Sequence, residues 1–200
     1  MKSLQFIFDQ QKSTQALNYF AIQAGGQINK MKALKLVFFA DRYHLRKYGR
    51  LITNDNYIAM QHGPVPSSTK DIAESNDYLD EVSMGYSRGF IKPVGNLKLK
   101  SVNPVDESIL SESDLEALQF AWDNFGDLTQ FELRDLTHLY PEWSKFKDIL
   151  LVRSWMPMDL FDFLKDPPRE YNKCLELNSE AQSLRKDQLA ELAATESLWK

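Results

Sequence analysis

NKMKALKLVFFADRYHLRKYGRLITNDNYIAMQHGPVPSSTKDI, residues 29–72, is the stretch whose reading decides the fold. Its first half places Leu34, Leu36, Val37, Phe38, Phe39 and Ala40 almost all the way round a helical wheel. A surface helix keeps a polar face, so a helix of this kind has to be surrounded by the rest of the chain. Asn29 is a good N-cap and Gly49 a natural stop, which predicts a helix from Asn29 to Tyr48. The chain then crosses a polar loop to Gly63-Pro64-Val65-Pro66, a corner stiffened by its prolines. Ser67, Ser68 and Thr69 follow as caps for a third helix reaching about Asn76.

Working outward, residues 14–24 carry Ala16, Leu17, Phe20, Ile22 and Ala24 and stop at Gly25-Gly26, a helix with a glycine end. Past Asn76 the period changes. Residues 81–86, a Ser87-Arg88-Gly89 turn and residues 90–94 read as a small β-hairpin, with a further short strand in residues 96–102. Helical spacing returns after Ser111, with Leu115, Leu118, Phe120, Ala121, Trp122 and Phe125 before Gly126. Thr129 caps the next helix, which carries Phe131, Leu133, Leu136 and Leu139 to a stop at Pro141. Short helices are expected near residues 145–152 and 158–165. Pro167-Pro168 marks a boundary, and residues 170–200 read as a long helix with an irregular stripe of Tyr171, Leu175, Ala181, Leu184, Leu189 and Leu192. The expected fold is mainly α: a compact helical domain around a buried central helix, with a small inserted β-hairpin. Its domain spans residues 1–165, and residues 166–200 form a C-terminal helical extension.

Composition narrows the function. Two hundred residues at 43 % hydrophobic suit one domain with a sizeable core. No apolar run is long enough to span a membrane, and MKSLQFIFDQQK lacks the pattern of a signal peptide. The single cysteine, Cys174, leaves no internal disulfide and fits a reducing cytoplasm. A net charge of −4 argues against a nucleic-acid binder. Yet between Lys30 and Arg50 there are seven lysines and arginines and one acid, Asp41. Such a run is either a solvated helix face or a patch for an acidic partner.

Asp41 is the most informative side chain. Met31, Leu34, Phe38, Asp41, Leu45 and Tyr48 share one helix face, so a carboxylate stands where the pattern wants an apolar group. Burying it without donors would cost several kcal/mol. Tyr57, His62, Arg50 or the N–H groups of the Gly63 corner are the available donors, and Asp41 is then a pin between helix and loop. As a general acid or base it would need a nucleophile or a phosphate loop, and neither motif is present. His44, His62 and His138 have no metal-ligand spacing, so neither metal nor cofactor is expected. His138 is expected to pack beside Trp143.

The run ADRYHLRKYGRLITNDNYIAMQHGPVPS resembles the Panacea domain of SocA-like antitoxins, which is also met in phage-associated proteins. The resemblance rests on Ala40-Asp41-Arg42, Tyr48-Gly49-Arg50, Thr53-Asn54-Asp55, Tyr57-Ile58-Ala59-Met60 and Gly63-Pro64-Val65-Pro66. It continues through LSESDLEALQFAWDNFGDLTQFELRDLTHLYPEW, residues 110–143, and fades near Leu164. One departure is Leu51, where the turn commonly has proline. The resemblance implies a non-enzymatic antitoxin that neutralises a cognate protein toxin by direct binding, without nucleic acid or membrane. Its matched surface, Tyr57, His62, Gly63, Pro64 and Val65, together with a basic face at Lys32, Lys35 and Arg46, is expected to contact the toxin. Asp41, Arg50 and Trp143 are expected to be structural. Two alternatives stay open: an adaptor that delivers a bound toxin to a protease, and a small hydrolase or nucleotide-binding enzyme using Asp41, His44 and His62. The sequence does not give the oligomeric state.

Overall fold

A computed structural model describes residues 6–75, 81–171 and 176–198; the readings placed on residues 1–5, Asn76, Cys174 and Leu175 lie outside the described residues. Helix α1 (Gln10–Gln23) leads through strand β1 (Gln27–Asn29) into helix α2 (Lys30–Tyr48). The Asn29 side chain accepts from the Lys32 N–H at 3.2 Å, and Gly49 ends α2 in the left-handed region at φ 80°. Every residue from Ala33 to Arg42 is buried, the polar and charged ones included. That follows from what packs on α2: α1, helix α5 (Glu112–Phe125), helix α6 (Gln130–Thr137) and helix α8 (Ser179–Ser197). Phe39 stacks on Phe125 and Tyr43 on Phe120, each at 3.9 Å between ring centres, which fixes α2 against α5.

Two antiparallel three-stranded sheets complete the architecture, so the fold is mainly α with small sheets. One is ordered β1, β5 (Lys98–Ser101), β4 (Ile91–Val94). The other is ordered β3 (Gly63–Pro66), β2 (Tyr57–Met60), β6 (Trp155–Pro157). Helix α3 (Ser67–Glu74) follows β3 directly, and α7 (Pro141–Ser144) is a single turn opened by proline.

The hairpin expected over residues 81–94 is corrected. Its first arm and its turn are helix α4 (Glu81–Phe90), and only the second arm is a strand, β4, which pairs with β5 across a turn at Gly95. Tyr86 and Phe90 are four apart and their rings sit 5.0 Å from each other, a helical neighbour pair. Tertiary contacts decide for the helix: the Tyr86 hydroxyl accepts from Gln15 at 2.8 Å, and Ser87 meets Gln10 at 2.5 Å and Thr14 at 3.0 Å on α1. The short helices expected near residues 145–152 and 158–165 shrink to single 3-10 turns, Ile149–Leu151 and Leu160–Leu164. The long C-terminal helix starts at Ser179, where the Asn178 side chain accepts from the Ala181 N–H at 2.8 Å.

Helix α8 is docked on the body. Leu189 and Ala193 are buried, and Arg185 donates to the Arg46 carbonyl at 3.0 Å and to the Lys47 carbonyl. Those carbonyls belong to the last turn of α2, where the helix offers them no partner of its own.

Candidate functional site

The geometry starts at Asp41, which is fully buried on α2. Its Oδ1 accepts from the Ile52 N–H at 2.7 Å and the Thr53 N–H at 3.1 Å. Its Oδ2 accepts from the Thr53 hydroxyl at 2.5 Å and the Tyr57 hydroxyl at 2.8 Å. Burial pushes this carboxyl up from its ordinary pKa, while the four donors pull the other way. A second buried carboxylate, Asp55, accepts from the Ser68 N–H at 3.0 Å and from the Thr69 N–H and hydroxyl at 2.7 Å each. Capping of α3 therefore comes from Asp55 in the loop, and the residue at its N-cap, Pro66, contributes no side-chain bond. Between them the two carboxylates hold both ends of residues 52–57, and with them the β2–β3 hairpin.

Behind the hairpin, the Lys35 ammonium donates to the Pro64 carbonyl at 2.7 Å. Lys35 is 1 % exposed, and burial lowers its pKa to about 7. Gly63 sits at φ +97°, and a Cβ there would stand 2.6 Å from the Thr137 hydroxyl and 2.7 Å from the Lys35 nitrogen. Conformation and space both require glycine at that point.

In front of the hairpin opens a groove of about 690 Å³ whose walls include Leu34, Met60, Val65, Phe131, Leu150 and Leu151. Its rim is strongly apolar: Leu97 is 70 % exposed, Phe131 54 %, Leu151 79 % and Val152 84 %. Large exposed apolar side chains gathered at one concavity mark a binding surface more often than those scattered singly. A second depression shares Gln61, His62, Leu150 and Leu151 with the groove and reaches Trp143 and His138. There the His138 ring lies 3.6 Å from the Trp143 ring, nearly parallel, and the indole N–H donates to the Met60 carbonyl at 2.8 Å. Burial, with the Lys35 charge nearby, lowers the His138 pKa to about 4, so the ring is neutral at pH 7.

Among the residues read from the sequence, His62 and Val65 line the groove, with Gly63 and Pro64 buried behind it. Three positions need correction. Lys35 is buried, so it presents no charge on an open basic face. Arg46 is fully buried and donates to the Phe163 carbonyl at 3.1 Å, the Lys165 carbonyl at 3.2 Å and the Asp166 carboxylate. Tyr57 is buried, its hydroxyl given to Asp41 and its ring packed on Phe38 and Phe163. Each is covered by segments remote in sequence. Arg50 does not reach Asp41; it pairs with Asp114 at 2.9 Å. Nothing in the sequence singles out the exposed Leu97, Leu151 and Val152, because a lone apolar residue in a helix or loop pattern looks the same whether it faces core or solvent.

Asp41, His44 and His62 share no hydrogen bond. His44 is buried, with Nδ1 on the Arg50 carbonyl at 2.8 Å and Nε2 facing both the Ser113 hydroxyl at 3.0 Å and Asp114 at 3.2 Å. In a nucleophilic triad the imidazole stands between hydroxyl and carboxylate, one on each nitrogen, and here both lie on the same nitrogen. Among the described residues no cluster of metal-ligand side chains occurs, and no helix is long and apolar enough to cross a membrane.

The family described as antitoxin SocA-like, Panacea domain, matches residues 34–144, more than half of the chain. The chain belongs to this antitoxin family. No curated protein and no solved structure matches it. The matched region of the Panacea domain contains Asp41, the loop, the β2–β3 hairpin, α5, α6 and Trp143. The groove straddles its border: Leu34, Val65 and Phe131 lie within the match, Leu151 and Val152 beyond it.

Proposed function

We propose that this Panacea-domain protein neutralises a cognate protein toxin by direct, non-catalytic binding, with the groove as the contact face. The supporting observation is the apolar rim of Leu97, Phe131, Leu151 and Val152, exposed on a chain that belongs to an antitoxin family. Binding energy at protein interfaces concentrates in a few side chains that lose water completely on contact. A concave site ringed by such groups lets one partner segment bury several of them together. The hairpin wall is held in place before binding by Asp41 and Asp55, so little ordering is left for the encounter.

The test is co-expression with the product of the neighbouring gene. Leu151→Asp combined with Val152→Asp alters only exposed side chains, so the thermal midpoint should hold while growth rescue is lost. Full rescue by that double variant would move the interface elsewhere. Toxin abundance reports the mode: unchanged levels during rescue support occlusion, whereas a protease-dependent fall supports delivery to a protease.

A further inference from the structure

The charges around the groove do not balance. Its walls and those of the adjoining depression hold five cations, Lys30, Lys70, Arg134, Lys147 and Arg153, besides the buried Lys35, against two carboxylates, Glu74 and Asp135. Both carboxylates are already engaged: Glu74 with Lys70 at 2.7 Å, and Asp135 with Arg134 at 2.7 Å. Lys30, Lys147 and Arg153 have no ion-pair partner among the described residues. This positive excess occurs in a chain whose net charge is −4, so it is local to the groove.

We infer that the groove, with the adjoining depression that holds Lys147, takes an acidic, apolar-rich segment of the partner protein, its carboxylates set against Lys30, Lys147 and Arg153 and its aliphatic side chains against Leu34, Phe131 and Leu151. This rests on the groove being the toxin-binding face. The pattern of walls selects the chemistry. Aliphatic side chains line the concavity and gain from burying apolar groups, while the unpaired cations lie around it and gain from opposite charge. A basic segment would meet like charge at Lys30, Lys147 and Arg153, which disfavours it. A nucleic acid would satisfy the cations but leave Leu97, Leu151 and Val152 uncovered.

The test pans phage-displayed random dodecapeptides against the full-length protein. Clones that combine Asp or Glu with Leu, Ile or Phe are expected, with affinity that falls as salt rises. The variant Lys30→Glu, Lys147→Glu, Arg153→Glu should bind these peptides at least about tenfold more weakly, and should prefer the same peptides with their acids changed to lysine. Each single variant should show a smaller change in the same direction, which keeps the test valid if the triple variant folds poorly. Neutral or basic clones, acidic clones bound equally by the triple variant, or tighter binding of an oligo-dT strand than of any acidic peptide would each overturn the inference. Toxin rescue separates the two levels. If Leu151→Asp with Val152→Asp abolishes rescue but the triple charge reversal does not, the charge inference fails alone. If the apolar double variant rescues fully, the groove itself is the wrong face.

Discussion

Asp41 and Lys35, six residues apart on α2, are both buried. A carboxylate in an apolar stripe has to be paired, and two N–H groups and two hydroxyls meet Asp41. Asp41→Ala would strand two backbone N–H groups and two hydroxyls in the interior, and should lower stability by about 3–5 kcal/mol, seen as an earlier urea midpoint. Tyr57→Phe removes one of the four donors and should cost about 1 kcal/mol. Lys35 was not legible, because nothing in the helix itself says that β3 and α6 will close over its polar side. Its folded pKa of about 7 lies below the ordinary 10.5. Between those values the unfolded chain holds the proton more tightly, so stability rises with pH across that window. Below it, both states carry the charge and the burial penalty is present in full, on the order of a few kcal/mol. Lys35→Met removes that penalty and loses one hydrogen bond worth about 1–3 kcal/mol. It should therefore stabilise the protein at pH 7 and flatten the rise toward pH 10 in urea titrations. A variant less stable at pH 7 would show that the bond to Pro64 outweighs the buried charge.

At the scale of elements, α2 and its caps were readable because Asn29 and Gly49 act within one or two residues of the helix they bound. Helix α4 is not legible in the sequence, because ten residues bearing two glycines fit a period of two as well as a period of 3.6. What selects the helix is the row of Gln10, Thr14 and Gln15 on α1, seventy residues upstream. Helix α8 was readable as a helix and not as a docked one, since its burial rests on Leu189 and Ala193 and on Arg185. Its seat explains Gly49 further: a Cβ there would stand 2.6 Å from the Gln188 side-chain oxygen. Gly49→Ala should cost about 1–2 kcal/mol for the left-handed backbone alone, plus whatever displacing Gln188 adds. Pairing it with Gln188→Ala should recover the second part only, so a double-mutant cycle in urea separates strain from collision. Additive values would mean that α8 does not press on the turn.

For the whole molecule, the family match stops at Ser144, yet the structure continues to build on it. Arg42 and Arg46 hold the backbone of residues 163–165, and β6 adds the third strand beside β2. Deleting residues 167–200 should lower the thermal midpoint by removing the docked α8 and should speed amide exchange at the end of α2. It leaves the groove walls intact, so toxin rescue should survive at permissive temperature. Loss of rescue by a folded truncation would make α8 part of the interface. The β3 strand sets another limit on how such a molecule meets its partners. Pro64 has no N–H, and its carbonyl, which points away from β2, is already occupied by Lys35; Pro66, two residues on, faces the same way and also has no N–H to offer. This border of the sheet is chemically silent toward an incoming strand, so neither a toxin nor a second copy can extend the ladder here through its backbone. Recognition on this side is left to side chains, which can discriminate between partners, whereas a free backbone edge would accept almost any extended chain.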